Sequence, residues 1–184
     1  MKYLLVGIGL IPLLRLVVLG YQDDLSANPI EFITRSTGTW ALVFLCLTLS
    51  ITPIRRFSGW NQLIHYRRTL GLLVYFYAVL HFMIWFWLDH NWSLTEMWAD
   101  VVKRPFITMG FISLVLLTPL ALTSNQWSMQ YLKRRWGQLH RLIYVIAILV
   151  ILHYFWHKSG KNDYETVSIY AGIIFLLLML RVKR

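Results

Sequence analysis

Long apolar stretches separated by short polar connections dominate the chain, and six of them are candidates for membrane spans. A spanning helix needs about 20 mainly apolar residues, with about 17 as the usual lower end. The third and fifth stretches meet that length well, whereas the second and sixth are short. The six predicted spans are Tyr3–Gly20, Thr39–Ile54, Leu70–Leu88, Phe106–Leu122, Leu139–Trp156 and Thr166–Leu180. The pattern predicts an all-α integral membrane protein, a bundle of six transmembrane helices.

Composition supports a membrane protein with little mass outside the bilayer. Hydrophobic residues make up 58% of the 184 residues and charged residues only 14%, against about 25% charged residues in a soluble domain. The connections are too brief to hold a soluble domain, so residues 1–184 are expected to form one transmembrane domain. We find no long internal repeat and no low-complexity segment in the sequence.

The net charge of +10 indicates topology rather than a nucleic-acid partner. Segments 55–69 and 123–141 and the C-terminal tail carry arginine and lysine without any acid. All eight acids lie in the segments that follow the first, third and fifth spans. Basic loops remain on the cytoplasmic side of a membrane. We therefore expect both termini in the cytoplasm of a bacterial inner membrane, and the acidic loops outside.

Two segments admit two interpretations. The first stretch, with Lys2 before an apolar core, resembles a signal peptide, but Arg15 interrupts the core and no A-x-A cleavage site follows, so we interpret it as a span. The segment Gln126–Trp136 mixes apolar and basic residues. It is either an amphipathic helix on the cytoplasmic membrane surface or a plain basic loop.

Three histidines, His81, His140 and His153, lie inside the predicted spans. Ionisable side chains in a bilayer are costly and indicate function, and imidazole is a common axial ligand of haem iron. The third and fifth spans run parallel, and His81 and His153 lie at similar depths, about 18 to 20 Å from the cytoplasmic ends at 1.5 Å per residue. The sequence therefore predicts a haem between these two spans, with His81 and His153 as its ligands. The alternative is that they are hydrogen-bonding core histidines.

His140 has no obvious partner at equal depth. His140 precedes His153 by 13 residues. The positions 13 and 14 residues before His81 are Arg68 and Arg67, and His65 lies further out. A second haem would need His65, another donor or an open coordination position. On an ideal helix His140 and His153 point about 140° apart, so either the helix is distorted or the two histidines address different neighbours.

Other candidate ligands are weaker. His90 and His157 flank outward helix ends, where solvated interfacial roles are expected. The only cysteine, Cys46, is interpreted as a small packing residue. With a single cysteine the chain can form neither an internal disulfide nor a C-x-x-C-H attachment site, so any haem is held non-covalently. A zinc or copper site is disfavoured because no cysteine or carboxylate lies at the depth of the histidines.

Arg15 is the other charged residue within a span. It either snorkels to the outer interface or pairs with a haem propionate. The chain has no G-x-G-x-x-G and no P-loop, so a separate donor must supply any electrons it carries.

At these residues the chain resembles a known family, the haem-binding membrane subunit of the bacterial protein-methionine-sulfoxide reductase system (MsrQ). That family belongs to the ferric-reductase-like transmembrane group, which also contains the NADPH oxidases. The resemblance covers nearly the whole chain. Its segments are TGTWAL (37–42), LSITPIRR (49–56), RRTLGL (67–72), LHF (80–82), RPFITMGFIS (104–113) and, most specific, KRRWGQLHRLIYVIAILVILHYFW (133–156).

The resemblance implies b-type haem, one or two per chain, with His81, His140 and His153 as the iron ligands, and an association with FMN. It further implies electron transfer from a cytoplasmic flavin reductase or quinol to a periplasmic molybdopterin-dependent methionine-sulfoxide reductase. Arg67 and Arg68 stand where the oxidases have a fourth histidine.

We therefore interpret the chain as an electron-transfer subunit that contacts membrane lipid, binds no nucleic acid and does not itself reduce the sulfoxide. In this interpretation His140 serves an inner redox site. One alternative is a stand-alone ferric or cupric reductase. Another is a haem-free membrane anchor or assembly factor with structural histidines.

Overall fold

The computed structural model describes residues 2–160 and 162–182, and these residues form nine α-helices. The helices are α1 Lys2–Tyr21, α2 Pro29–Ser58, α3 Ile64–Ile84, α4 Leu94–Lys103, α5 Pro105–Leu122, α6 Gln126–Leu132, α7 Arg134–Leu139, α8 Leu142–Ser159 and α9 Glu165–Val182. A 3₁₀ turn, Asn61–Leu63, precedes α3, and a π-helical turn, Trp85–Asp89, continues it. The all-α prediction is confirmed.

Five of the described helical segments are long and apolar enough to cross a membrane by length and composition. They contain α1, α2, α3, α5 and α8. The helix α9, which corresponds to the sixth predicted span, is not among these five. A bundle of six spans therefore remains a prediction.

The second helix begins ten residues before its predicted span. The α2 helix starts at Pro29 and its N-cap is Asn28, whose side chain accepts a hydrogen bond from the Glu31 amide at 3.2 Å. Proline suits the first helical turn because its missing N–H would have no partner there. Hydropathy alone missed this part of the helix because its first residues are largely polar. These residues lie beside the cavity described below.

The connection between α5 and α8 contains two short helices. The Gln126–Trp136 segment contains α6 and the start of α7, so it is helical rather than a plain loop, and its location on the membrane surface stays a prediction. The helix α7 ends at Leu139 and α8 begins at Leu142. Because the regular helix is interrupted at His140, the ideal-helix angle between His140 and His153 does not apply. Of the two explanations for that angle, local distortion is observed, and the contacts described below show that the two histidines also address different neighbours.

Two antiparallel helix pairs form the centre of the bundle. The α2 helix packs along α3, and α5 packs along α8. The most completely buried large side chains are on α2, α3 and α8, and include Leu45, Tyr77 and Ile146. The α1 helix docks on α3, where the buried Tyr77 hydroxyl donates to the Gly9 carbonyl at 2.7 Å. The α9 helix packs against α2 and α8.

Candidate functional site

A cavity of about 650 Å³ separates the α2–α3 pair from the α5–α8 pair. Cofactor sites in proteins typically measure about 300 to 1,000 Å³ and are mostly apolar with a few polar groups. His81 of α3 and His153 of α8 both line this cavity, as does the first half of α2. The prediction that these two histidines lie together at one depth is confirmed by their contact.

The two imidazoles meet in the cavity with their ring centres 6.2 Å apart and their planes nearly perpendicular, at 82°. Nδ1 of His81 lies 2.8 Å from the Thr34 carbonyl, and Nδ1 of His153 lies 2.6 Å from the Phe106 carbonyl. A carbonyl oxygen can only accept, so each Nδ1 carries the proton and donates. The lone pair of each ring is therefore on Nε2, the tautomer that binds metals when the other nitrogen is held by a carbonyl.

This donor set fits an iron held between two axial imidazoles. The ring centres of such a pair stand about 6 Å apart, since a metal–imidazole bond is about 2.0 Å long and the nitrogen lies about 1.1 Å from its ring centre. Haem supplies its own four equatorial nitrogens, so two histidines complete the coordination. No group of three or more His, Cys, Asp or Glu side chains that could hold a bare metal ion occurs among the described residues.

Two glycines leave the space that the imidazoles occupy. A β-carbon on Gly38 would lie 3.1 Å from Nδ1 of His81, and one on Gly110 would lie 2.8 Å from Nδ1 of His153. The second distance is shorter than side-chain carbons show, so Gly110 is required for the observed position of His153. Each glycine lies one helical turn after the residue whose carbonyl accepts from the same histidine. Sequence reasoning missed both glycines and both carbonyls.

Wall residues of the cavity fall in pairs: each wall position on the α2–α3 pair has a counterpart 72 residues later on the α5–α8 pair. The wall positions of α2 are Thr34, Arg35, Gly38, Thr39, Ala41, Leu42 and Leu45, and their counterparts in α5 are Phe106, Ile107, Gly110, Phe111, Ser113, Leu114 and Leu117. The wall positions of α3 and its π turn are Val74, Ala78, His81, Phe82 and Trp85, and their counterparts in α8 and at its end are Ile146, Val150, His153, Tyr154 and His157.

The expectation of no long internal repeat therefore holds for the side chains, but the arrangement of the two helix pairs is repeated. Each histidine bonds to a carbonyl 47 residues before it, so both helix pairs have the same internal register. The side chains at paired positions mostly differ, which hides the repeat from inspection of the sequence, although glycine and histidine recur. The same offset of 72 pairs His140 with Arg68, an exposed residue. The repeat thus builds one pair of facing histidines and not two.

His140 does not line this cavity and has a different hydrogen-bonding state. The Thr123 hydroxyl has one proton and donates it to the Pro119 carbonyl at 2.6 Å. His140 Nε2, 3.1 Å from the same hydroxyl, must therefore be the donor in their contact. The ring of Trp136 stacks on the imidazole with centres 4.0 Å apart. Nε2 of His140 is thus already engaged, and the structure brings His140 to neither His81 nor His153.

The residues at the mouth of the cavity do not follow the 72-residue repeat of the walls. It is lined by Asn28, Ile30, Glu31, Asp89, Arg104 and Lys158. Together with Arg35 from the wall, the mouth offers three cations. Each is close to a carboxylate: Arg35 to Glu31 at 3.4 Å, Arg104 to Asp100 at 3.2 Å, and Lys158 to Asp163. The Lys158 ammonium also holds the pKa of the exposed Asp163 below its ordinary value.

Arg15 is not part of this site. Its side chain is exposed on α1, and it does not line the cavity. Of its two interpretations, pairing with a propionate therefore finds no support in the geometry, and snorkelling to an interface stays a prediction. The cations that line the cavity are Arg35, Arg104 and Lys158.

His90 is buried, contrary to the sequence-based expectation of a solvated role, whereas for His157 that expectation stays a prediction. His90 is only 7% exposed; its Nε2 lies 3.4 Å from Asp100 Oδ2, without hydrogen-bond geometry, and its ring packs on Trp85. His157 is half-buried and lines the cavity. His90 is covered by Trp85 of the π turn and lies beside Asp100 of α4.

Comparison with known proteins identifies the family. Residues 37–151 match the family "Ferric reductase like transmembrane component". The chain is 55% identical to the protein-methionine-sulfoxide reductase heme-binding subunit MsrQ of Ralstonia nicotianae, over 95% of this chain and 81% of that protein. The chain belongs to the MsrQ family. MsrQ of Herminiimonas arsenicoxydans is 54% identical over 98% of this chain and 84% of its own length.

The MsrQ relationship extends over the whole cavity. MsrQ of Bordetella pertussis is 50% identical over 98% of this chain and 88% of its own length. These alignments cover nearly all of the described residues, including both helix pairs. No solved structure matches the chain. The resemblance inferred from the motifs around the three histidines is confirmed.

Proposed function

We propose that the chain is the haem-binding membrane subunit of a methionine-sulfoxide reductase system and that it carries electrons without reducing the sulfoxide itself. The haem is b-type, since the single cysteine excludes the usual two-cysteine attachment. One bis-histidine haem lies in the cavity between the two helix pairs. The names of the MsrQ relatives, heme-binding subunits of protein-methionine-sulfoxide reductase, support this assignment.

The observation that carries the proposal is the matched state of His81 and His153. Both rings donate from Nδ1 to a backbone carbonyl and present Nε2 to a shared cavity, with their centres 6.2 Å apart. Core histidines that only stabilise helix packing have no reason to face each other in the metal-binding tautomer. Two such rings on opposite sides of one space are the ligand set of a six-coordinate haem.

Different residues of the cavity contribute differently to binding the haem. Bound haem supplies a reversible one-electron couple at its iron. The Thr34 and Phe106 carbonyls fix the orientation of the two imidazoles and raise their basicity. The apolar walls exclude water. Arg35, Arg104 and Lys158 would bind the carboxylates of the cofactor, in exchange for or in addition to their present contacts with Glu31, Asp100 and Asp163.

The direction of electron flow follows from topology. With both termini in the cytoplasm, the basic loops face the donor, and the mouth of the cavity opens toward the acidic outer side. The donor is a cytoplasmic flavin reductase or the quinone pool, with FMN as an additional cofactor. The acceptor is a periplasmic molybdopterin enzyme that repairs oxidised envelope proteins. The proposed location of the chain is the bacterial inner membrane.

The absorption spectrum of the purified full chain tests the proposal. We expect a low-spin b-type spectrum that His81→Ala or His153→Ala abolishes, while the variant proteins stay folded by circular dichroism. Phe155→Ala, which alters an exposed residue of the same helix α8, is the matched control and should keep the spectrum. Unchanged spectra in both histidine variants would contradict the assignment of His81 and His153 as iron ligands. A wild-type protein without haem would favour the alternative of a membrane anchor.

A second candidate function is a stand-alone transmembrane ferric reductase, which the family match of residues 37–151 favours. In that case the reduced protein would pass electrons directly to external ferric chelates. Reoxidation of the reduced haem by a ferric chelate without any partner protein distinguishes the two. Rapid reoxidation by the chelate and none by the periplasmic reductase would replace the first proposal by the second.

A further inference from the structure

The short helix α4, Leu94–Lys103, lies between two segments that are long and apolar enough to cross a membrane. The Ser93 side chain caps its N-terminus by accepting a hydrogen bond from the Glu96 amide. At 1.5 Å per residue α4 extends about 15 Å, against roughly 30 Å for the hydrocarbon core of a bilayer. Residues 90–93 connect α4 to the preceding candidate span, and Arg104 alone connects it to α5. A helix tethered so closely to spans at both ends lies at a membrane boundary.

The outward side of α4 includes an apolar face that the bundle does not cover. Met97 and Val101 are buried and form the face that packs on the protein, chiefly against α5. Leu94, Trp98 and Val102 recur every four residues, so they lie on one side of the helix. Their exposed fractions are 67%, 55% and 75%. We call these three residues the apolar stripe.

A third face of α4 is charged. Glu96 and Lys103 are both exposed. At 100° per residue they lie about 160° and 140° from Trp98 around the helix axis. The helix therefore has one face on the bundle, one apolar face without a protein neighbour, and one face suited to water. An amphipathic helix with this distribution binds in the plane of a membrane interface.

Half-exposed tryptophans lie at the same end of the bundle. Trp87 of the π turn and Trp92 of the connection are 56% and 53% exposed, with their ring centres 6.1 Å apart. Trp98 of the apolar stripe makes an edge contact with Phe111 of α5, with ring centres 5.6 Å apart. Tryptophan is enriched at the level of the lipid headgroups. The apolar stripe is thus continuous with the surface of a candidate span, which favours lipid as its occupant.

We infer that α4 lies in the interfacial layer of the bilayer at the mouth end of the bundle, with the apolar stripe against the acyl chains of phospholipids. Its charged face then lies among the headgroups and water. The helix is joined to the start of α5 by the ion pair between Asp100 and Arg104, and by the Thr108 hydroxyl, which donates to the Val101 carbonyl. Because Arg104 also lines the cavity, the cavity mouth lies at headgroup level. The inference does not depend on haem ligation.

Site-specific labelling of the full chain in phospholipid nanodiscs tests this position. The Cys46→Ala background removes the only cysteine, and one new cysteine then carries an environment-sensitive fluorophore. The matched pair is Val102→Cys on the apolar stripe and Lys103→Cys on the charged face, which are adjacent and both exposed. Leu94→Cys and Glu96→Cys repeat the comparison one and a half turns earlier. The quenchers are aqueous iodide and a phosphatidylcholine with a nitroxide on its acyl chain.

With one chain per nanodisc, the labels at positions 94 and 102 should be quenched severalfold more by the nitroxide lipid, and severalfold less by iodide, than those at 96 and 103. Equal iodide quenching at 102 and 103 would overturn the inference, because the protein itself leaves both positions open. If protection of the stripe appeared only after a periplasmic partner was added, the stripe would be a docking site for protein instead. Protection only in discs that hold two chains would make it an interface between copies.

Circular dichroism of each labelled protein shows whether it is folded. Since all four labelled positions are exposed, the two independent pairs keep the test valid if one variant is lost. The haem spectrum is recorded in parallel, so a failure of the haem assignment is seen separately from a failure of the membrane position.

Discussion

Gly110 lies so close to His153 that a β-carbon on it would be 2.8 Å from Nδ1 of the imidazole. Gly110→Ala should therefore displace His153 from the Phe106 carbonyl and reduce haem occupancy. Gly38→Ala, with its β-carbon at 3.1 Å from His81, should have a smaller effect in the same direction. The haem-to-protein ratio of each purified variant measures its loss of haem, which should be larger for Gly110→Ala than for Gly38→Ala.

Gly172→Ala is the control for this pair, because nothing lies within 4 Å of its β-carbon position. Alanine normally stabilises a helix interior by about 0.5 to 1 kcal/mol relative to glycine, so this variant should keep its haem and be equally or more stable. Full occupancy in Gly110→Ala would show that the cavity relaxes around the methyl group and that the close approach is not required.

His140→Ala should keep the low-spin spectrum, because His140 does not line the cavity and its Nε2 donates to Thr123. The variant should instead slow reduction of the haem from the cytoplasmic side, as its position at the opposite end of α8 suggests. Stopped-flow reduction with a fixed donor measures the rate. Loss of all haem in a folded His140→Ala protein would place His140 in a shared site.

Thr123→Val should destabilise the apoprotein by about 1 to 3 kcal/mol, since it leaves the His140 N–H without its acceptor. Thr118→Val is the matched control: this hydroxyl donates only to the Leu114 carbonyl of its own helix. Denaturant unfolding in detergent compares the two. Equal losses would mean that the contact between Thr123 and His140 contributes little.

Arg181 replaces a hydrogen bond that proline removes from α2. Pro53 has no N–H, so the Leu49 carbonyl four residues earlier lacks its helical donor, and Nε of Arg181 takes that place. Arg181→Met should cost more stability in the wild type than in the Pro53→Ala background, where the helix can supply the donor. A double-mutant cycle of unfolding free energies measures this coupling. Strictly additive losses would contradict it.

A topology reporter fused after Arg184 should be active on the cytoplasmic side, because each basic segment without acids then lies inside. A second reporter inserted in the loop between α8 and α9 should be periplasmic if α9 crosses the membrane. Periplasmic activity of the terminal reporter would reverse the electron path. Identical locations of both reporters would remove the sixth crossing.

Hydropathy and residue depth were sufficient to predict the helical class and the meeting of His81 and His153, because burial of charge in a bilayer is a strong constraint. They could not predict the Thr34 and Phe106 carbonyls, since every residue has a backbone carbonyl and the sequence does not mark which one accepts. Gly38 was visible within the TGTWAL motif, but its role depends on the packing of α2 against α3.

The break at His140 illustrates a different limit. The apolar pattern runs on through residues 139–156 and gives no sign that the helix is interrupted, because the carbonyl and hydroxyl groups that accommodate the break come from the end of α5. The only short trace of the 72-residue repeat in the sequence is the similarity of the LHF segment at 80–82 to the LHY segment at 152–154. Most paired positions differ in side chain, however, and only the cavity reveals their common spacing.

The paired construction of the walls also affects how the molecule is assembled. Each helix pair brings one imidazole, one fixing carbonyl and one glycine, so neither half can enclose a cofactor by itself. The cavity of about 650 Å³ lies between the two halves, and a group that fills it contacts both. In the proposed function, cofactor binding therefore stabilises the folded state: a ligand at 100 times its dissociation constant adds about 2.7 kcal/mol to the native state. Haem supply would then set how much of this protein persists in the membrane.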